Sequence, residues 1–280
     1  MKKLTAWKIK QYHEAPIAAF KEVQKLTDGD YALVHLFETN DEYFQMFKTA
    51  VDDGRDVLLD NSLYELRNAF NGQRYVEWIN KLQPTWFIVP DSWKNGAETA
   101  RMFFDFLNRY GDKVQCDSKI IGVAQGNTIS EVAQCYHDIE KYCDKIAFNL
   151  DFATASGLPK SGIPYCLRMS VGRVRVLQSL YDLGVINEEK PHHLLGCGVP
   201  QEAMWYNPEW TWVDSIDTCN PVLHGIQGVA YNKTLPGLLS KEEFVRMCDI
   251  IDSDVSPEQM ALIKENILEM TEYCKKNYIN

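Results

Sequence analysis

Short, almost wholly apolar runs alternate with stretches of helical spacing along most of the chain. The runs are YALVHLF (31–37), DVLLD (56–60), TWFIVPD (85–91), KIIGVAQG (119–126), KIAFNLD (145–151), HLLGCG (193–198) and TWVDSID (211–217). A further strand is expected over Ala6–Tyr12. Between them, apolar residues recur at three- and four-residue intervals over 17–26, 42–51, 75–82, 97–110, 129–143 and 165–183, the period of helices that bury one face. The strands lack in–out alternation, as parallel strands covered on both faces do. Eight such units in about 240 residues predict a (β/α)8 barrel, a TIM-barrel α/β fold. A doubly wound open sheet is the runner-up, but no G-x-G-x-x-G follows any strand, so nothing points to a dinucleotide site. The expected division is a barrel over residues 1–239 and C-terminal helices over 240–280. Ser240–Glu243 and Ser256-Pro257-Glu258-Gln259 read as capping boxes, and Met260, Ile263, Ile267 and Cys274 line one helical face.

Composition narrows the class. Apolar residues make up 45% and charged residues 24%, the balance of an ordinary globular protein. No apolar run approaches the roughly 18 residues of a membrane span, so no membrane partner is expected. The N-terminus, MKKLTAWKIKQYHEAP, lacks the apolar stretch of a signal peptide, and a cytoplasmic location is expected. The net charge of −10 argues against a nonspecific nucleic-acid coat but leaves room for a local basic patch. Among eight cysteines there is no C-x-x-C pair, so neither a zinc ribbon nor a redox pair is indicated. No metal site and no cofactor are expected.

The candidate chemistry lies at the strand ends, where α/β barrels present their functional residues. They supply Asp60, Asp91, Gln125, Asp151, Cys197 and Asp217, with His35 near the end of its own run. Any one such Asp ordinarily caps a helix or closes a turn. Four carboxylates and a carboxamide at one set of strand ends read together as a site.

LLGCGVP followed by VDSIDTCNP resembles the paired signature of the tRNA-guanine transglycosylase superfamily, a strand ending in G-x-G-x-P and then one ending in D-x-x-D-C. The resemblance implies that Asp217 is the nucleophile. VLLDNSLYE is similar to the family's strand ending in L-T-D-S-G-G-F-Q, which implies a general acid/base role for Asp60. WFIVPDS and IIGVAQGN resemble the base-reading segments and imply that Asp91 and Gln125 recognise guanine. In KIAFNLD, Asn149, Leu150 and Asp151 stand where the family has glycines; Asn149 and Asp151, with the Gly196-Cys197-Gly198 turn, are further candidates for contact with the base. The resemblance covers about residues 55–230 in the family's order.

The chain departs from the tRNA enzymes in two ways. It has no Cys3His cluster after the nucleophile strand, and Leu223 and Ile226 occupy the arginine positions of their P-T-R-N-A-R-N-G segment. In this it resembles the compact DNA-guanine transglycosylases of viruses and bacterial modification clusters, which insert 7-deazaguanines into DNA. The implied partners are DNA in preference to tRNA and a small preQ0-like base. Lys160, Arg168, Arg173, Arg175 and His224 are the candidates for phosphate contact, and the acidic balance leaves room for a homodimer or a basic partner subunit. The alternatives are a tRNA enzyme, a non-catalytic base-binding subunit on the same fold, and a metal-dependent barrel hydrolase. The hydrolase would want clustered ligands, whereas adjacent His192 and His193 point to opposite faces of a strand.

Overall fold

The alternating apolar runs become the strands of a closed parallel barrel, with helices between them. The computed structural model describes residues 4–233 and 246–279. The strands are β1 (Leu4–Lys8), β2 (Lys10–His13), β3 (Gly29–Leu33), β4 (Val57–Asp60), β5 (Trp86–Ile88), β6 (Lys119–Ala124), β7 (Lys145–Phe148), β8 (His192–Leu194), β9 (Val213–Asp217) and β10 (Lys275–Ile279). The helices are α1 (Ile17–Gln24), α2 (Asp41–Asp52), α3 (Leu63–Leu66), α4 (Gly72–Leu82), α5 (Gly96–Tyr110), α6 (Ile129–Ile139), α7 (Tyr165–Asp182), α8 (Glu202–Trp205), α9 (Asn220–Ile226) and α10 (Pro257–Cys274). Barrel order is β2 through β9 in sequence, the topology of a (β/α)8 barrel. None of the described helices is long and apolar enough to cross a membrane.

By contact density the chain divides into two compact units, Gly29–Asn149 and the remainder. Within Gly29–Asn149, β3 to β7 pair consecutively and in parallel, and β3, β4 and β7 are buried along their whole length. Four of the five helices of this unit start where a polar side chain takes up an orphan backbone N–H: Asn40 for α2, Asn71 for α4, Asn95 for α5 and Thr128 for α6. The hydroxyl of Tyr75 on α4 lies 2.9 Å from the carbonyl oxygens of both Leu59 and Ile88, which share its one hydrogen, and so ties the ends of β4 and β5 to one helix.

In the other unit β2 and β8 each pair in parallel with β9. The β8–β9 register slips between His192 and His193, so that His192 faces Val213 and His193 faces Ser215. α10 packs on α9, where Gly225 admits Ile263 so closely that a Cβ would meet its Cγ1 at 2.4 Å. The capping box at Ser256 is formed, and Ile263, Ile267 and Cys274 of the expected face are fully buried, while Met260 is half-buried. The Ser240–Glu243 box lies outside the described residues.

Three elements differ from the sequence reading. The strand expected over Ala6–Tyr12 breaks at Ile9: β1 pairs antiparallel with β10, and only β2 enters the barrel. The terminal residues Lys275–Ile279 form that partner strand rather than the end of a helix. The run 31–37 is strand only to Leu33 and continues as a 3-10 helix over Val34–Glu38, because an apolar run suits a buried helical turn as well as a buried strand.

Candidate active site

Gly29–Asn149 carries one polar cluster at the C-terminal ends of its strands. Asp60 closes β4 and is 8% exposed; its Oδ2 accepts the Ser62 N–H at 2.6 Å. Ser62 takes a left-handed φ of 58°, a conformation that a non-glycine residue adopts at some cost. Three residues past β5, Asp91 receives Asn61 Nδ2 on Oδ1 at 2.9 Å and Gln125 Nε2 on Oδ2 at 2.7 Å. Gln125, one residue past β6, accepts on its Oε1 the Lys94 N–H at 2.9 Å and Asn149 Nδ2 at 2.8 Å. Asn61, Asp91, Gln125 and Asn149 are all buried, and one chain of hydrogen bonds links them. Burial pushes the Asp91 carboxyl above the usual range, against the pull of the Asn61 and Gln125 amides. The Tyr75 hydroxyl is raised well above its ordinary value by burial and by the Asp60 charge.

The other unit carries the second cluster, built on β8 and β9. Asp217, the last residue of β9, is 3% exposed. Its Oδ1 lies 2.9 Å from His193 Nε2 and accepts the Gly196 N–H at 3.0 Å; no hydrogen bond from the described residues falls on Oδ2. His193 Nδ1 lies 2.9 Å from Ser215 Oγ, and Tyr12 of β2 meets the imidazole edge-on at 5.9 Å between ring centroids. With its proton on Nε2 the ring donates to the carboxylate and accepts the Ser215 hydroxyl. Asp214, one face away on the same strand, pairs instead with Lys10 at 3.2 Å.

The Gly196-Cys197-Gly198 turn is a scaffold for this cluster. Gly196 has φ +61°, which favours glycine, and a Cβ on Gly198 would sit 2.5 Å from the Cys166 carbonyl oxygen and 2.7 Å from Ser170 Oγ on α7. The Cys197 thiol donates to the Val199 carbonyl, and burial drives its pKa well above the ordinary range, so it is no thiolate. Asp151 is buried in its own loop, accepting the Tyr165 hydroxyl and the Ala153 N–H.

Two of the five expected phosphate ligands are corrected by their burial. Arg173 is 0% exposed, and its guanidinium is taken up by Glu202 and by the carbonyls of Leu195 and Gly196, leaving no face for a phosphate. His224 is buried against Tyr231, its Nδ1 lies 2.9 Å from the Asn220 carbonyl, and burial lowers its pKa. Lys160 and Arg175 are exposed, and Arg168 is half-buried with its guanidinium 5.1 Å from the Tyr165 ring centre.

Sequence reasoning missed His193. The alternation of adjacent histidines rules out a shared ligand set, but it also turns one of the two toward the Asp217 face. His192 goes the other way, to an edge contact with Trp212 at 5.0 Å. Asn61 and Tyr75 were missed as well; only the pairing of β4 beside β5 reveals them. Among the described residues no group of three His, Cys, Asp or Glu is arranged to hold a metal ion. No protein-family model matches the chain, and no curated protein matches it.

Proposed function

We propose that this protein is a base-exchange transglycosylase that replaces guanine in DNA with a 7-deazaguanine base, through a covalent bond between Asp217 and the sugar. The observation that carries the reading is the Asp217 carboxylate, held at a barrel strand end by two donors on one oxygen and, among the described residues, none on the other. A carboxylate so held offers its second oxygen to the anomeric carbon of a nucleotide, as the nucleophile of a retaining glycosidase does. The order of motifs along the chain supports it, and so does the parallel closed barrel, a fold that commonly carries enzymes.

In the first step Asp217 Oδ2 attacks C1′ and the N-glycosidic bond breaks, while Asp60 gives its proton to the departing guanine. In the second the incoming base attacks C1′, the aspartyl ester bond breaks and Asp60 takes the proton of the new base. Two displacements retain configuration. Guanine presents donors along its Watson–Crick edge. Asp91, with about four lone-pair sites of which Asn61 and Gln125 use two, has acceptor capacity left for them. Reaching that base within a polynucleotide requires flipping it out of the stack.

The test is release of labelled guanine from duplex DNA, single-stranded DNA and tRNA at one salt concentration, with a 7-deazaguanine base present. Release from DNA that depends on the added base is expected. Release from tRNA alone would move the substrate to RNA, and release from none of the three would end the transglycosylase reading.

A further inference from the structure

Arg173 lies on the buried face of α7, in step with Cys166, Met169, Val176, Leu177 and Leu180, and no part of it reaches solvent. A guanidinium at that depth needs an anion and partners for its remaining donors. Glu202 of α8 supplies the anion, with Oε1 2.6 Å from Arg173 Nε, and also accepts the Tyr206 hydroxyl. The other two arms go to consecutive carbonyls of the glycine turn, Nη1 to Leu195 at 2.6 Å and Nη2 to Gly196 at 2.8 Å.

The Leu195 carbonyl and the Gly196 N–H belong to the same peptide group, and in a trans peptide the two point in opposite directions. One side of that plane is therefore gripped by Arg173, and the other donates to Asp217 Oδ1 at 3.0 Å. We propose that Arg173 is a positioning residue for the Asp217 carboxylate, acting through the Leu195–Gly196 peptide. The planar fork fixes the tilt of the peptide by holding two successive carbonyls, which a single ammonium cannot do. Its charge polarises the same peptide, so the N–H that faces the carboxylate is a stronger donor than a solvated amide. Gly196 at φ +61° lets the chain turn immediately after this peptide, so that both carbonyls face α7. The helix thus reaches the reacting atom without touching substrate. The catalytic part of this inference rests on the transglycosylase reading; the positioning part does not.

The test uses full-length Arg173→Met/Glu202→Leu, which replaces the pair with apolar side chains and strands no buried charge, beside Arg173→Lys and Asp217→Asn. Exchange kinetics and the amide proton shift of Gly196 are measured in each. In the double variant kcat is expected to fall about a hundredfold, the cost of a misplaced reacting group, with KM unchanged. The Gly196 shift is expected to move to the position that Asp217→Asn gives it. Arg173→Lys should show the same two changes, and it carries the test if the double variant does not fold. Unchanged kcat with an unchanged Gly196 shift would overturn the proposal. A rise in KM alone would do so too, because it would place Arg173 in substrate binding. If the wild-type protein exchanges no base, the transglycosylase reading fails, and the Gly196 shift alone then decides whether Arg173 orients the peptide.

Discussion

Asp217 and His193 are each held from two sides, and at the residue scale such arrangements separate what pH does to chemistry from what it does to stability. His13, at the end of β2, is buried, with Nε2 3.0 Å from Gln11 Oε1, and burial pushes its pKa down from 6.5 to about 4. A histidine lowered in this way stays neutral in the folded chain while the unfolded chain takes up a proton. Its contribution to stability is complete above pH 6.5 and is lost as pH falls toward 4. Between pH 7 and pH 5 the loss is about 2 kcal/mol. Urea denaturation at the two pH values should show it, and His13→Gln, which keeps a donor for Gln11, should remove most of it. An unchanged pH dependence in that variant would mean the loss belongs to other groups. The charged and amide residues at strand ends were legible in the sequence because strand ends are where they matter. His193 and Arg173 were not. The first depends on a register slip between β8 and β9, the second on which turn α7 packs against. The spacing did contain a hint, since a charge in step with an apolar stripe is fully buried only when it is paired.

At the scale of elements the glycine turn joins α7 to β9. Gly198 is needed for closeness rather than for its backbone angle, because a Cβ there would overlap the Cys166 carbonyl and Ser170 Oγ. Ser170 Oγ in turn accepts the Val199 N–H at 3.0 Å, so displacing it loosens the turn from the helix. Gly198→Ala is expected to cost about 1–3 kcal/mol of stability, the usual penalty of overpacking, and to slow exchange through the displaced Gly196 N–H. Equilibrium denaturation and kcat on the same preparation check both, and a variant as stable as the parent would contradict the packing argument. The longer helices were read from sequence because periodicity and caps are local, as the Ser256 capping box before α10 illustrates; the short α3, α8 and α9 carry too few turns to show a period. The β1–β10 pairing joins the two ends of the chain, and nothing local in KKNYI marks it as a strand. The 3-10 turn after Leu33 was hidden for a different reason, since its apolar residues are as buried as strand residues would be.

At the scale of the molecule, an acidic chain of net charge −10 is proposed to work on a polyanion. Phosphate contacts dominate nucleic-acid affinity, and the burial of Arg173 and His224 leaves Lys160, Arg168 and Arg175 as the remaining candidates from the sequence. The barrel itself was legible because eight buried runs at regular spacing admit few topologies. The chemistry proposed for it rests on short motifs in order, and the central claim is that Asp217 bonds to the sugar. The most direct measurement is the intact mass of the protein after incubation with a guanine-containing DNA oligonucleotide and no incoming base, followed by peptide mapping. The account predicts an adduct equal to the oligonucleotide less one guanine, carried on Asp217 and lost in Asp217→Asn. Guanine released without an adduct, at a rate that Asp217→Asn leaves unchanged, would contradict it.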